Sequence, residues 1–161
     1  MKINFLVNKR PVTINSSPGR RLVDILRIDL GLTGTKEGCG EGRCGSCLVL
    51  MNGNLVNSCL ISAFKLPDAE IVTIEGYAQS KEYANLKQAL EVTGAFPCGF
   101  CSSGIIMATG NLLAENSSPT AAEIREALSG NVCRCGDYDN IIAGIRGGAA
   151  KPQSRRYGKT R

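Results

Sequence analysis

Eight cysteines and no histidine in 161 residues constrain this chain more than any other feature of its sequence. An even cysteine count is the mark of a disulfide framework in secreted chains. The N-terminus, MKINFLVNKRPVTIN, instead alternates apolar and polar residues, without the basic segment, apolar block and cleavage site of a signal peptide. Apolar runs break off within a few residues, so no membrane span is expected and the cytoplasm is the expected location. In a reducing compartment, this many thiols point to metal or redox chemistry. The missing histidine removes mixed cysteine–histidine zinc sites, Rieske centres and histidine-based acid–base or nucleophilic catalysis.

The cysteines form two groups of four. Cys39, Cys44, Cys47 and Cys59 are spaced C-x4-C-x2-C-x11-C, the plant-type [2Fe–2S] arrangement, in which two irons take two thiolates each. Gly38, Gly40, Gly42 and Gly45 suit that chemistry, because a loop around an anionic cluster needs inward N–H groups and positive φ at some turns. Cys98, Cys101, Cys133 and Cys135 are spaced C-x2-C-x31-C-x-C. A thioredoxin-like pair would leave Cys133 and Cys135 unused and needs a βαβ setting. Zinc in an all-thiolate tetrahedron and a second iron–sulfur centre both stay open, although C-x-C suits two adjacent irons better than one tetrahedral ion.

Hydrophobic patterning divides the chain. Ile3, Phe5 and Val7, then Val12 and Ile14, alternate as a β-hairpin. A helix is expected next, with Ser17 as N-cap, Pro18 inside its start, Leu22, Ile25, Leu26 and Leu30 on one face and Gly31 past its end. LVLMNGN and LVNSCLI read as a second hairpin turning at Asn52-Gly53, and EIVTIEG as a further strand. This α+β unit is expected to end near Gly76, giving a domain over residues 1–76. The stretch 77–150 reads as helices only: YANLKQALEV with Tyr83, Leu86 and Leu90 on one face, SGIIMATGNLLAE directly after Cys101, a capping box at Thr120–Glu123, and a last helix from Asp139. A bundle this small has a thin core, and a metal centre joining 98–101 to 133–135 would staple two helix ends.

The charge balance argues against a nucleic-acid partner. The net charge of +5 arises in the tail KPQSRRYGKTR, residues 151–161, which holds five of the 19 Lys and Arg and none of the 14 Asp and Glu. The rest is neutral and aromatics are only 5%, so there is no basic patch with interleaved aromatics. The tail is expected to be a basic, flexible C-terminus.

GTKEGCGEGRCGSC, NSC, TIEG, CGFC and EIREALSGNVCRC with nearby Tyr138, in that order over residues 1–147, resemble the small iron–sulfur subunit or domain of the xanthine dehydrogenase and aldehyde oxidase family of molybdenum hydroxylases. The resemblance implies a plant-ferredoxin-like β-grasp domain followed by an all-α four-helix bundle. It implies two [2Fe–2S] clusters, one on Cys39, Cys44, Cys47 and Cys59 nearer the flavin, the other on Cys98, Cys101, Cys133 and Cys135 nearer the molybdopterin. It also implies a molybdopterin-binding large subunit and an FAD-binding medium subunit as partners, with electrons passing from the molybdenum centre through both clusters to FAD. This chain would hold no substrate-converting site, and purines, aldehydes and N-heterocycles are all compatible with it. A zinc-stapled binding module and a free-standing ferredoxin-like carrier are the alternatives. The chain departs from the family pattern at Pro97, where a pterin-contacting glutamine is usual, at Ser102-Ser103 in place of Thr-Pro, at Gly136-Asp137 in place of Thr-Gly, and at Tyr83-Ala84-Asn85-Leu86, where His-Pro is usual. Pro97 lacks an N–H and a polar side chain, so altered contacts to the pterin are expected. Arg134, between two thiols, is expected either to raise the potential of the second cluster by stabilising its reduced form or to serve as a structural hydrogen-bond donor.

Overall fold

The computed structural model describes residues 1–95 and 98–149. Pro97 and the tail 151–161, both singled out in the sequence, lie outside the described residues. The first half is a five-stranded mixed sheet in the order β2-β1-β5-β3-β4. Strands β1 (Lys2–Val7) and β2 (Arg10–Asn15) form the expected hairpin, with Val7 opposite Arg10. Asn8 and Lys9 make its two-residue turn at φ 51° and 67°, the left-handed geometry that matches strand twist. Strands β3 (Leu48–Met51) and β4 (Asn54–Asn57) form the second hairpin, turning at Asn52 (φ 52°) and Gly53 (φ 75°) as the Asn-Gly pair predicts. Strand β5 (Glu70–Val72) joins the hairpins, running parallel to β1 and antiparallel to β3.

Three expectations for this half need correction. The helix does not start at Ser17. Helix α1 spans Leu22–Asp24 and widens into a π turn over Ile25–Asp29, with Arg21 before it. Residues 18–22 are held sideways instead: the amides of Ala63 and Phe64 donate to the carbonyls of Arg20 and Pro18, and the Leu22 amide donates to Ile61. These lateral bonds satisfy the backbone that a first helical turn would have left bare. The expected apolar face is still there, with Leu22, Ile25 and Leu26 fully buried and Gly31 at φ 66° past the end. The strand expected through LVNSCLI stops at Asn57, and Ser58–Leu60 is one turn of 3-10 helix. The strand expected through EIVTIEG stops at Val72, and Ile74–Tyr77 is helix α2.

The second half has only helices among its described residues. Helices α3 (Lys81–Val92), α4 (Ser102–Glu115), α5 (Ala121–Ala127) and α6 (Tyr138–Ala149) follow the sequence reading closely, the last starting one residue early. The capping box of α5 is formed: the Glu123 amide donates to Thr120 Oγ1 while the Thr120 amide donates to Glu123 Oε2. Helix α3 packs on α6 and α4, and α5 packs on α4 and α6. No helix among the described residues is long and apolar enough to cross a membrane.

The helical half is not left with a thin core of its own. Leu86, Leu90, Ile105, Met107, Ile124 and Ile141 share one buried cluster with Leu48, Leu50 and Val72 of the sheet. Val49, between Leu48 and Leu50, faces the opposite cluster with Ile3, Phe5, Leu26 and Ile71. Strand β3 is therefore buried on both faces, which is why it reads as an unbroken apolar run. Docking α4 against β3 brings the two cysteine groups onto one seam.

Candidate metal centres

The first cysteine group is shaped by one loop and one turn. The loop runs into β3, and Gly40, Gly42 and Gly45 sit at φ 70°, 76° and 68°, where a side chain would strain the backbone. That path turns amides inward: the Glu41 and Arg43 N–H groups donate to Cys39 Sγ at 3.4 and 3.3 Å. These amides, with that of Cys44, pull the Cys39 thiol down to about 7, so its anion forms readily. Cys59 arrives from the opposite side on the 3-10 turn, pinned where Ser58 Oγ donates to the Cys47 carbonyl at 2.7 Å. Burial, then the adjacent Cys47 thiol, push Cys59 up to about 11, and the Gly42 amide opposes them. A carbon added at Gly38 would lie 2.9 Å from Cys44 Sγ, so the loop closes on its thiols with no room for a side chain there.

The second group is built from two distant segments. Cys101 is the residue before α4, and Cys133 and Cys135 lie in the connection from α5 to α6. Cys101 and Cys133 are buried with their sulfurs 3.5 Å apart, while Cys98 and Cys135 are exposed. Burial, followed by contact with Cys133, pushes the Cys101 thiol up to about 12. Burial acts against the Cys133 anion too, but the amides of Gly136 and Cys135 and the Cys101 thiol outweigh it and lower its pKa. Cys135 lies beside Cys98 and Cys133, whose negative charges raise its pKa. Among the described residues, no group of three or more cysteine, aspartate or glutamate side chains is arranged to hold a single ion. Cys39 lies with Cys44 and Cys47 with Cys59, while in the second group Cys133 lies with both Cys101 and Cys135, and Cys135 with Cys98. Two thiolates per iron, with backbone N–H donors around them, fit a two-iron centre.

The loops of the two groups touch. The Val132 amide, one residue before Cys133, donates to the Cys44 carbonyl at 2.9 Å. Asn131 Nδ2 donates to the Gly45 carbonyl at 3.3 Å, and Ser103 Oγ reaches the Ser46 carbonyl at 3.4 Å. Tyr138 Oη accepts the Cys133 amide at 2.7 Å and donates to the Asn131 carbonyl at 2.8 Å, riveting the second loop to the start of α6. The sequence marks Tyr138 and Asn131 only as parts of a motif and Ser103 only as a departure from the family pattern, and it assigns none of them these contacts. The partners of Ser103 and Asn131 lie 57 to 86 residues away, beyond the reach of any local pattern.

Comparison with known proteins accounts for both halves. Residues 5–71 match a family described as a 2Fe-2S iron-sulfur cluster binding domain, and residues 73–146 a [2Fe-2S] binding domain. The nicotinate dehydrogenase small FeS subunit of Eubacterium barkeri is 42% identical over 144 residues, covering 89% of this chain and 92% of that one. The chain belongs to the small iron–sulfur subunits of the xanthine dehydrogenase and aldehyde oxidase family. Within that family, the xanthine dehydrogenase iron-sulfur-binding subunit of Escherichia coli O157:H7 is 41% identical, over 87% of this chain and 89% of that one. In three dimensions the chain is similar to a chain of quinoline 2-oxidoreductase from Pseudomonas putida 86, with a TM-score of 0.86, 39% identity, and 93% and 94% of the two chains covered. As in these small iron–sulfur subunits, the architecture is a ferredoxin-like sheet domain followed by a helical domain, and the chain serves an oxidoreductase complex as its iron–sulfur component.

Proposed function

We propose that Cys39, Cys44, Cys47 and Cys59 hold one [2Fe–2S] cluster and Cys98, Cys101, Cys133 and Cys135 a second. On this reading the chain carries electrons from a molybdopterin-binding large subunit to an FAD-binding medium subunit. The sheet half, residues 1–76, is read as a β-grasp domain and residues 77–150 as a four-helix bundle, with 151–161 a basic tail. The group around Cys101 faces the molybdopterin side and the group around Cys39 the flavin side. The observation that carries this reading is the hydrogen bond from the Val132 amide to the Cys44 carbonyl, which joins the two thiol groups through backbone within one chain.

Bound at four thiolates, a [2Fe–2S] cluster takes up and releases one electron with little change of shape. What this chain supplies is the environment. The Glu41, Gly42 and Arg43 amides offset negative charge at the first group, and the Gly136 amide does so at the second. Cys47, Cys59, Cys101 and Cys133 are buried, which keeps water from one side of each centre. A cytoplasmic location belongs to the same reading.

The test is purification of the tagged chain from its native host. Co-purified molybdenum and flavin subunits, iron and sulfide for two clusters per chain, and two EPR signals on dithionite reduction are expected. Equimolar zinc without iron would replace this reading with a zinc-stapled binding module. A loaded chain that brings no large partners would make it a free-standing carrier.

A further inference from the structure

The two thiol groups meet backbone against backbone. Gly104, in the first turn of α4, lies so close to the Gly45 carbonyl that a single added carbon would overlap it. A carbon at Gly45 would in turn run into the Gly130 carbonyl and stand 2.7 Å from Asn131 Nδ2. The Asn131 side chain fills the angle between these backbones. It is buried, donates to the Gly45 carbonyl at 3.3 Å, and its amide nitrogen is 3.0 Å from where a carbon on Gly104 would stand. Its own backbone is held at both ends, with the amide donating to Leu128 at the end of α5 and the carbonyl accepting from Tyr138 Oη. Asn131 is two residues from Cys133, and Gly45 lies between Cys44 and Cys47. A shift of Asn131 relative to Gly45 therefore moves one thiol group against the other.

We propose that Asn131, seated in the Gly45–Gly104 contact, is a positioning residue that fixes the separation of the two thiol groups and thereby the rate of electron transfer between them. The proposal rests on the ligand sets above. The step is a one-electron exchange: the reduced centre at one group loses an electron, the oxidised centre at the other gains it, and no proton or covalent bond changes. Its rate depends on distance and on the continuity of packed and bonded atoms between the groups. Asn131 touches neither centre, so its effect would pass through the loops it locks together. Without its amide, the buried Gly45 carbonyl loses this donor and the loops lose the contact that resists their parting.

The experiment uses the whole complex, with wild type, Asn131→Ala and Asn131→Leu, which keeps the branched shape and loses the donor without adding a charge. Iron content, the separate EPR signals, the spin–spin splitting between the two reduced centres and the rate of electron equilibration between them would be measured. Both variants are expected to keep full iron and both signals, with weaker splitting and a several-fold slower equilibration. Ser103→Ala, which removes only the longer bond to Ser46, is expected to change neither. Unchanged splitting and rate in an iron-replete Asn131 variant would overturn the proposal. So would loss of iron from the second group as the sole effect, since that is a structural role. A wild-type chain lacking two signals would overturn the ligand sets along with it. Should Asn131→Ala fail to fold, Asn131→Leu decides.

Discussion

The two thiol groups reach similar donor sets by opposite routes. Around Cys39 three of four cysteines lie within nine residues, and glycines at positive φ turn their own loop's amides toward the sulfur. Around Cys101 the thiols come from segments about thirty residues apart, and they meet because α5 packs on both α4 and α6. The first centre is a property of a loop, and the second is a property of a folded domain. The thiol energetics do not separate them, since each group joins a thiol that amides lower, Cys39 or Cys133, to one that burial raises, Cys59 or Cys101. Because its thiols come from segments that only the fold brings together, the second centre should couple binding to folding more strongly than the first.

The largest expected effect follows from that coupling. Removing iron with a chelator under reducing conditions should loosen the helical half far more than the sheet half. Amide exchange should rise across α4 and α6 while β1 and β2 stay protected; equal loosening of both halves would break the contrast. Next in size is Gly45→Ala, which combines a left-handed φ of 68° with overlap onto Gly130. It should cost about 2–4 kcal/mol in a denaturation experiment on the loaded chain and perturb both EPR signals. Tyr138→Phe removes one hydroxyl that serves both the Cys133 amide and the Asn131 carbonyl. It should cost about 1–3 kcal/mol and alter only the second signal. Arg134→Leu, at an exposed position between two thiols, should lower the midpoint potential of the second centre and leave the first unchanged. The smallest effect belongs to the α5 capping box. Bonds from the Thr120 amide and hydroxyl lower the Glu123 pKa, so its stabilisation is full above the ordinary glutamate range and is lost as pH falls through the lowered value. Exchange at the Thr120 amide should rise on acidification through that window, with no change in β3.

The same contrast explains what could be read from the sequence. Cys39, Cys44 and Cys47, the Asn52-Gly53 turn and the Thr120 capping box are local chemistry, and each appears in the fold where its spacing predicts. The four-cysteine count supplied the pairing of Cys98 and Cys101 with Cys133 and Cys135 before any geometry did. The helix start at Ser17 failed because Pro18 and Arg20 bond to Phe64 and Ala63, partners far along the chain that no capping pattern reveals. The short 3-10 turn carrying Cys59 was hidden for a related reason: Ser58 bonds back to Cys47, ending a strand whose apolar pattern continues through Leu60 and Ile61. The shared core also escaped, since Leu48, Leu50 and Val72 serve the helical half from within the sheet.

The most direct test of two separate centres is EPR of the reduced chain in three forms: wild type, Cys39→Ser and Cys101→Ser. The account predicts two distinct [2Fe–2S] signals in wild type, loss of one in Cys39→Ser and loss of the other in Cys101→Ser. Zinc in place of iron, or a single signal abolished by either substitution, would contradict it.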